Sequence, residues 1–185
     1  MKFLKFFIII FISLTTSIKA DLNKNLINQL EDGGKLIFIR HAYAPGNGDP
    51  NNFNLNDCST QRNLNSIGRK QAKDIGEFFR VNQIKIFKVL SSEWCRCKET
   101  ADIAFDNYST NSFLNSFYSS KNVKNKDKQV EALNNYVKKF KSEKNLIFVT
   151  HYVLISEVLN YSPSSGEIVV SDKNFNIIAT QEINF

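Results

Sequence analysis

Two histidines, three cysteines, three prolines, seven glycines and one tryptophan are all that 185 residues contain of those types. No internal repeat and no low-complexity linker breaks the chain, and its length favours one domain over two. No segment interleaves basic and aromatic side chains as a nucleic-acid-binding surface does, so no nucleic-acid partner is expected. No apolar run reaches the roughly 20 residues that a bilayer span needs. Hydrophobic residues make up 42% and charged residues 23%. That is globular composition; a disordered chain would be poorer in Phe, Ile and Leu.

The longest apolar stretch, residues 6–14, follows Lys2 and Lys5, and small and polar residues lead from it to Ala20. This is the order of a secretory signal peptide over 1–20, with cleavage expected between Ala20 and Asp21, although Ile18 fits the cleavage site less well than Ala would. No Cys lies at the cut, so lipid anchoring is not expected. The mature chain, 21–185, would be periplasmic or secreted, without stable membrane insertion. Its formal net charge would fall from +6 by the three lysines of the removed segment. The remaining Lys-rich stretches, 121–128 and 138–144, read as solvated faces, and a mildly basic surface helps attract an anionic substrate. An oxidising compartment predicts one disulfide among Cys58, Cys95 and Cys97, with one thiol left over. Cys95 and Cys97 are too close in sequence to pair easily, which leaves Cys58 with one or the other.

Periodicity lays out the elements. Leu22, Leu26, Ile27 and Leu30 predict a helix over 21–30, ended by Gly33-Gly34. Residues 35–39 read as a buried strand that stops at Arg40-His41. Pro45, Gly46, Gly48 and Pro50 make 42–61 a loop. Asn65 or Ser66 caps a helix to about Arg80, with Ala72, Ile75 and Phe79 on one face. A strand over 84–92 and a helix over 95–105 follow, then a polar, irregular segment over 107–126 holding Phe113, Leu114 and Phe117. Val130, Leu133, Val137 and Phe140 mark another helix. A third strand, 146–149, ends at Thr150-His151, a short helix covers 152–159, and a hairpin over 168–183 closes the chain. Strands alternating with helices predict an α/β fold. It would be a three-layer sandwich with a mostly parallel central sheet flanked by helices and the C-terminal β-hairpin at the sheet edge.

In such sheets ligands bind beyond the carboxyl ends of the strands. The first strand delivers Arg40 and His41 there, the second Ser91 and Ser92 with Arg96 just beyond, and the third His151. Arg forks match phosphate oxygens and remain charged. Neutral imidazole is available as a nucleophile near neutral pH. A second histidine, if protonated, stabilises charge on a phosphoryl group in transfer. Any one of these residues is more often an ordinary loop or surface side chain; the joint placement points to a phosphate site. With both histidines so placed, a zinc site is not expected.

Arg40-His41-Ala42 after an apolar strand resembles the Arg-His-Gly/Ala signature of the histidine phosphatase superfamily, the phosphoglycerate mutase-like fold. Arg62-Asn63-Leu64 with Gly68 and Gln71-Ala72, the segment Ser92 to Ala101, Val149-Thr150-His151, and Gly166-Glu167 before a strand are similar to its further motifs, in order. The resemblance implies that His41 is the nucleophile, that Arg40, Arg96 and His151 complete the phosphate pocket, and that Asn47 contacts phosphate. It implies no metal or organic cofactor and a small phosphorylated substrate. Asp57 to Leu64 with Trp94-Cys95-Arg96-Cys97 looks like a short secreted branch of the family.

One departure stands out: the mid-chain Glu that supplies a leaving-group proton in many members has no counterpart in 107–126. Glu99 and Asp102 fall on a helix face, while Asp49, Asp57 and Glu93 are within reach of the site. Loss of general acid help costs typically 10²–10⁴-fold and penalises alcohol leaving groups most. The expected activity is phosphomonoester hydrolysis through a phosphohistidine on His41. A protein phosphohistidine phosphatase and a non-catalytic phosphate-binding module are the alternatives; a mutase is disfavoured, with no room for a capping insertion.

Overall fold

The computed structural model describes residue 24 and residues 26–184; the expected signal segment lies outside them. Six strands form one sheet in the order β3-β2-β4-β1-β5-β6: β1 (Leu36–Arg40), β2 (Ile86–Ser91), β3 (Ser109–Thr110), β4 (Asn145–Thr150), β5 (Ile168–Ser171) and β6 (Ile177–Gln181). The helices are α1 (Ser66–Val81), α2 (Cys95–Phe105), α3 (Lys126–Lys138) and α4 (Tyr152–Leu159), with a further helical stretch over residues 26–32. β1–β4, β2–β4 and β2–β3 run parallel, while the closing hairpin joins β1 antiparallel at the edge.

Side chains alternate across the sheet because a strand has a period of two. Ile37, Ile39, Val89, Ile147, Val149, Ile168 and Val170 face Leu26, Leu30, Ile75, Phe79, Ala101 and Ala104 on one side. Leu36, Phe38, Leu90, Leu146, Phe148 and Val169 face Leu133, Val137, Leu154, Ile155 and Leu159 on the other. β1 and β4 are therefore apolar at almost every position, as a strand covered on both faces must be. Phe38 and Phe148 pack across the two strands with ring centroids 5.0 Å apart and planes tilted by 39°. Burial of each such side chain contributes about 1.5–3 kcal/mol. The two apolar layers make the predicted three-layer sandwich.

Local signals set the boundaries. The Asn65 carboxamide accepts from the Gly68 N–H and so caps α1. Gly33 and Gly34, both at positive φ, end the first helical stretch. The second strand starts at Ile86 rather than at Ile84: Gln83 turns the chain at φ 51°, and the Ile84 N–H still bonds to Phe79 in α1. Within 107–126, Ser109–Thr110 pairs with the end of β2, an edge strand too short and polar for its sequence to announce.

Candidate active site

β1, β2 and β4 end side by side, and main-chain bonds carry their alignment one residue further. The His41 N–H donates to Thr150 and the Ser92 N–H to Val149, each at 2.9 Å. His41 and His151 thus leave adjacent strands at the same level. Their rings lie edge to face, with centroids 5.5 Å apart, and both residues are only 2% exposed.

Partners assign the tautomers. His41 Nδ1 lies 2.8 Å from the Ala42 carbonyl, which can only accept, so Nδ1 carries the proton and Nε2 the lone pair. Arg96 Nε donates to that lone pair at 3.2 Å. Burial and then the Arg96 charge hold the His41 pKa well below 6.5, which keeps the ring neutral. His151 Nε2 lies 2.9 Å from Ser92 Oγ, while its Nδ1 faces Arg96 Nη2 at 3.5 Å. A guanidinium has no acceptor, so Nδ1 is unprotonated and Nε2–H donates to the serine. Ser92 Oγ in turn donates to Asn115 Oδ1. Burial, Arg96 and His41 keep the His151 pKa well below 6.5 as well.

Arg96 stands between the two imidazoles from the first turn of α2. Its end-on fork pairs with Asp49: Nη1 to Oδ1 at 2.8 Å and Nη2 to Oδ2 at 3.2 Å. The Arg62 N–H bonds Oδ1 and the Trp94 indole N–H bonds Oδ2, each at 3.0 Å. Burial raises the Asp49 pKa, but the Arg96 bond and charge, with these other donors, outweigh it and leave the pKa lowered. Arg40 enters from the far side, its guanidinium 5.2 Å above the Tyr152 ring and Nη1 bonded to the Pro163 carbonyl at 2.8 Å.

The cavity above these groups has a volume of about 590 Å³. Arg40, His41, Arg96 and His151 meet at its floor, and Asn47 lies exposed on its rim. Ser116, Tyr118, Lys121 and Tyr152 form the opposite wall. Among the described residues, Asp49 is the only carboxylate in the lining. Asp57 caps its own turn at Ser59, Glu93 holds Asn115, and Glu99 pairs with Arg69 on the surface. Cys58 bonds to Cys95, and Cys97 is the free, buried thiol. Burial pushes the Cys97 thiol pKa up to about 12, which leaves it protonated.

Several other motif residues hold the frame. The Gln71 amide takes the Tyr43 N–H and donates to the Ser165 and Ile183 carbonyls. Thr100 Oγ1 accepts from Ala42 N–H and donates to the Arg96 carbonyl. Arg62 binds the Ala44 and Gly48 carbonyls and so fixes the loop that carries Asp49. A Cβ at Gly68 would stand 1.9 Å from the Tyr43 carbonyl oxygen, so only glycine allows α1 this close to the loop after His41.

Fold and site together define a class: an α/β sheet that presents two neutral histidines and an arginine at its carboxyl edge. The branch 1 model of the histidine phosphatase superfamily matches residues 36–115, from β1 to just past β3. Solved structures share the fold. Phosphoglycerate mutase from Thermus thermophilus is 14% identical, with a TM-score of 0.57, over 81% of this chain and 99% of that one. The protein histidine phosphatase SixA, in complex with tungstate, is 14% identical at a TM-score of 0.53, over 79% and 95% of the two chains. Rv3214 from Mycobacterium tuberculosis is 13% identical at 0.56, over 81% and 96%. No curated protein sequence matches the chain.

Proposed function

We propose that the protein is an exported phosphohydrolase that cleaves phosphomonoesters through a phosphohistidine on His41. The observation that carries this reading is the lone pair of His41 Nε2, held in a neutral buried ring and directed at the same space as the Arg96 fork and His151. Nε2 attacks phosphorus, a P–N bond forms, and the P–O bond to the leaving group breaks. The phosphorylated ring then carries a positive charge, and the Ala42 carbonyl, already bonded to Nδ1–H, stabilises it. Water next attacks phosphorus, the P–N bond breaks, phosphate departs and the Nε2 lone pair is restored. Arg40 and Arg96 would hold the phosphoryl oxygens, and His151 would support charge on them. The short secreted branch to which the cysteine-flanked motifs are similar agrees with export.

A second reading, a protein phosphohistidine phosphatase, is favoured by one feature: the only carboxylate among the described residues that line the cavity is ion-paired to Arg96 and holds no proton for an alkoxide. A phosphoramidate leaves without that help. The deciding assay takes residues 21–185 with p-nitrophenyl phosphate at pH 4–9, alongside phosphoramidate and a His41→Ala control. Phosphomonoester turnover that disappears in the control is expected. Equal turnover in the control would remove His41 as the nucleophile, and turnover of phosphoramidate alone would favour the second reading.

A further inference from the structure

We infer that Asp49 is a positioning residue that divides the Arg96 guanidinium into two edges, holding the end-on edge so that the side edge, Nε and Nη2, faces the phosphoryl site. The inference rests on the phosphatase reading above.

A guanidinium has five N–H donors in one plane. Two of them, on Nη1 and Nη2, go to the two oxygens of Asp49. A further Nη1 bond reaches the Arg62 carbonyl at 3.3 Å. What is left is the Nε–H and the second Nη2–H, and these point at His41 Nε2 and His151 Nδ1. Both imidazole nitrogens carry lone pairs, so the site holds a side-on fork aimed at two acceptors that a tetrahedral oxyanion would replace. Rotation about the Arg96 stem would spoil that aim. Asp49 prevents rotation because both its oxygens are engaged twice, Oδ1 by Arg96 and the Arg62 N–H, Oδ2 by Arg96 and the Trp94 indole. The anchor lies on the floor of the cavity, where the Arg96 side chain is only 4% exposed and that of Asp49 12%.

The same four bonds separate this role from proton donation. A carboxylate has about four lone-pair sites, and here four N–H donors occupy them. A proton on either oxygen would meet a donor. Asp49 therefore serves the reaction through Arg96, and not as the acid the leaving group lacks.

The test compares wild type and Asp49→Asn on p-nitrophenyl phosphate and on phenyl phosphate, a much poorer leaving group, with vanadate affinity measured by calorimetry. The amide nitrogen of Asn puts a donor against the Arg96 and Trp94 donors, so the anchor fails without a change of size. The expected result is a loss in kcat/KM of roughly 10²-fold, the cost of about 1 Å of misplacement. It should be equal for both esters, with vanadate binding at least about tenfold weaker. A loss confined to phenyl phosphate would make Asp49 a proton donor and overturn the inference. Unchanged kinetics and vanadate affinity in folded protein would overturn it too. If Asp49→Asn does not fold, Trp94→Phe takes its place: it removes one anchor of Oδ2 and should give a smaller loss in the same pattern, and wild-type behaviour would overturn the inference. Wild type that neither hydrolyses the esters nor binds vanadate overturns the phosphatase reading itself, a result distinct from the others.

Discussion

His41 and His151 are buried where a protonated ring would face Arg96, and that placement couples folding to pH. Both folded-state pKa values lie well below 6.5. In the unfolded chain the rings titrate near 6.5, so between the folded and unfolded values the unfolded state binds more protons and stability rises with pH. The contribution is fully present above about 6.5 and is lost as pH falls through that value towards the folded pKa values. Melting temperature should therefore drop as pH is lowered from 7 to 5, and His151→Asn should flatten the drop; a flat wild-type profile would contradict the neutral assignment. At this scale the histidines and Arg96 were legible, because each lies at or just beyond a strand end. The partnership of Arg96 with Asp49 was not: Asp49 was one of several acids within reach, and only the folded loop selects it.

The loop from 42 to 61 is the element on which the site depends most, since it makes one wall of the cavity without regular strand or α-helix. Three fastenings replace secondary structure: the Arg62 side chain, the Gln61 amide on the first N–H of α2, and the Cys58–Cys95 disulfide. Gln61 meets an unpaired donor there, because Trp94 gives α2 no side-chain cap. The disulfide spans a sequence separation of 37, and closing a loop of that size stabilises by roughly 4 kcal/mol in the chain-entropy account. Replacing Cys58 and Cys95 together by Ser should lower the unfolding free energy by about that much in urea. A thiol reagent should label no Cys in the native protein, Cys97 alone on unfolding, and all three after reduction. Early labelling of Cys97 would contradict its burial. The sequence restricted Cys58 to two partners; the choice fell to Cys95 because it starts α2 beside the loop, whereas Cys97 points inward to within 3.5 Å of His151.

For the whole molecule, alternation of apolar residues was enough to predict three layers, and the order of strand ends was enough to gather the site. β1, β4 and the helices that cover them are long and periodic, which made them plain in the chain. The edge strand β3 and the wall over 116–122 were not, because they follow contacts with β2 and the cavity rather than a repeat of their own. Among the described residues no helix is long and apolar enough to cross a membrane.

The Arg96–Asp49 pairing also sets a balance of charge. Arg40, Arg62, Arg96 and, on the opposite wall, Lys121 bring four positive charges to the cavity, Asp49 one negative charge, and the histidines none. The surplus favours a dianion, the charge a phosphomonoester carries above its second ionisation near pH 6, over a monoanion. A phosphodiester or a sulfate ester carries one negative charge and would leave one more cation uncompensated than a dianion does, at a cost of about 4 kcal/mol for a pair 4 Å apart at an effective dielectric constant of 20. The site is thus an ion selector as well as a clamp: bis(p-nitrophenyl) phosphate and p-nitrophenyl sulfate should turn over at least about 10²-fold more slowly than p-nitrophenyl phosphate, and comparable rates would show that the charge count does not govern entry.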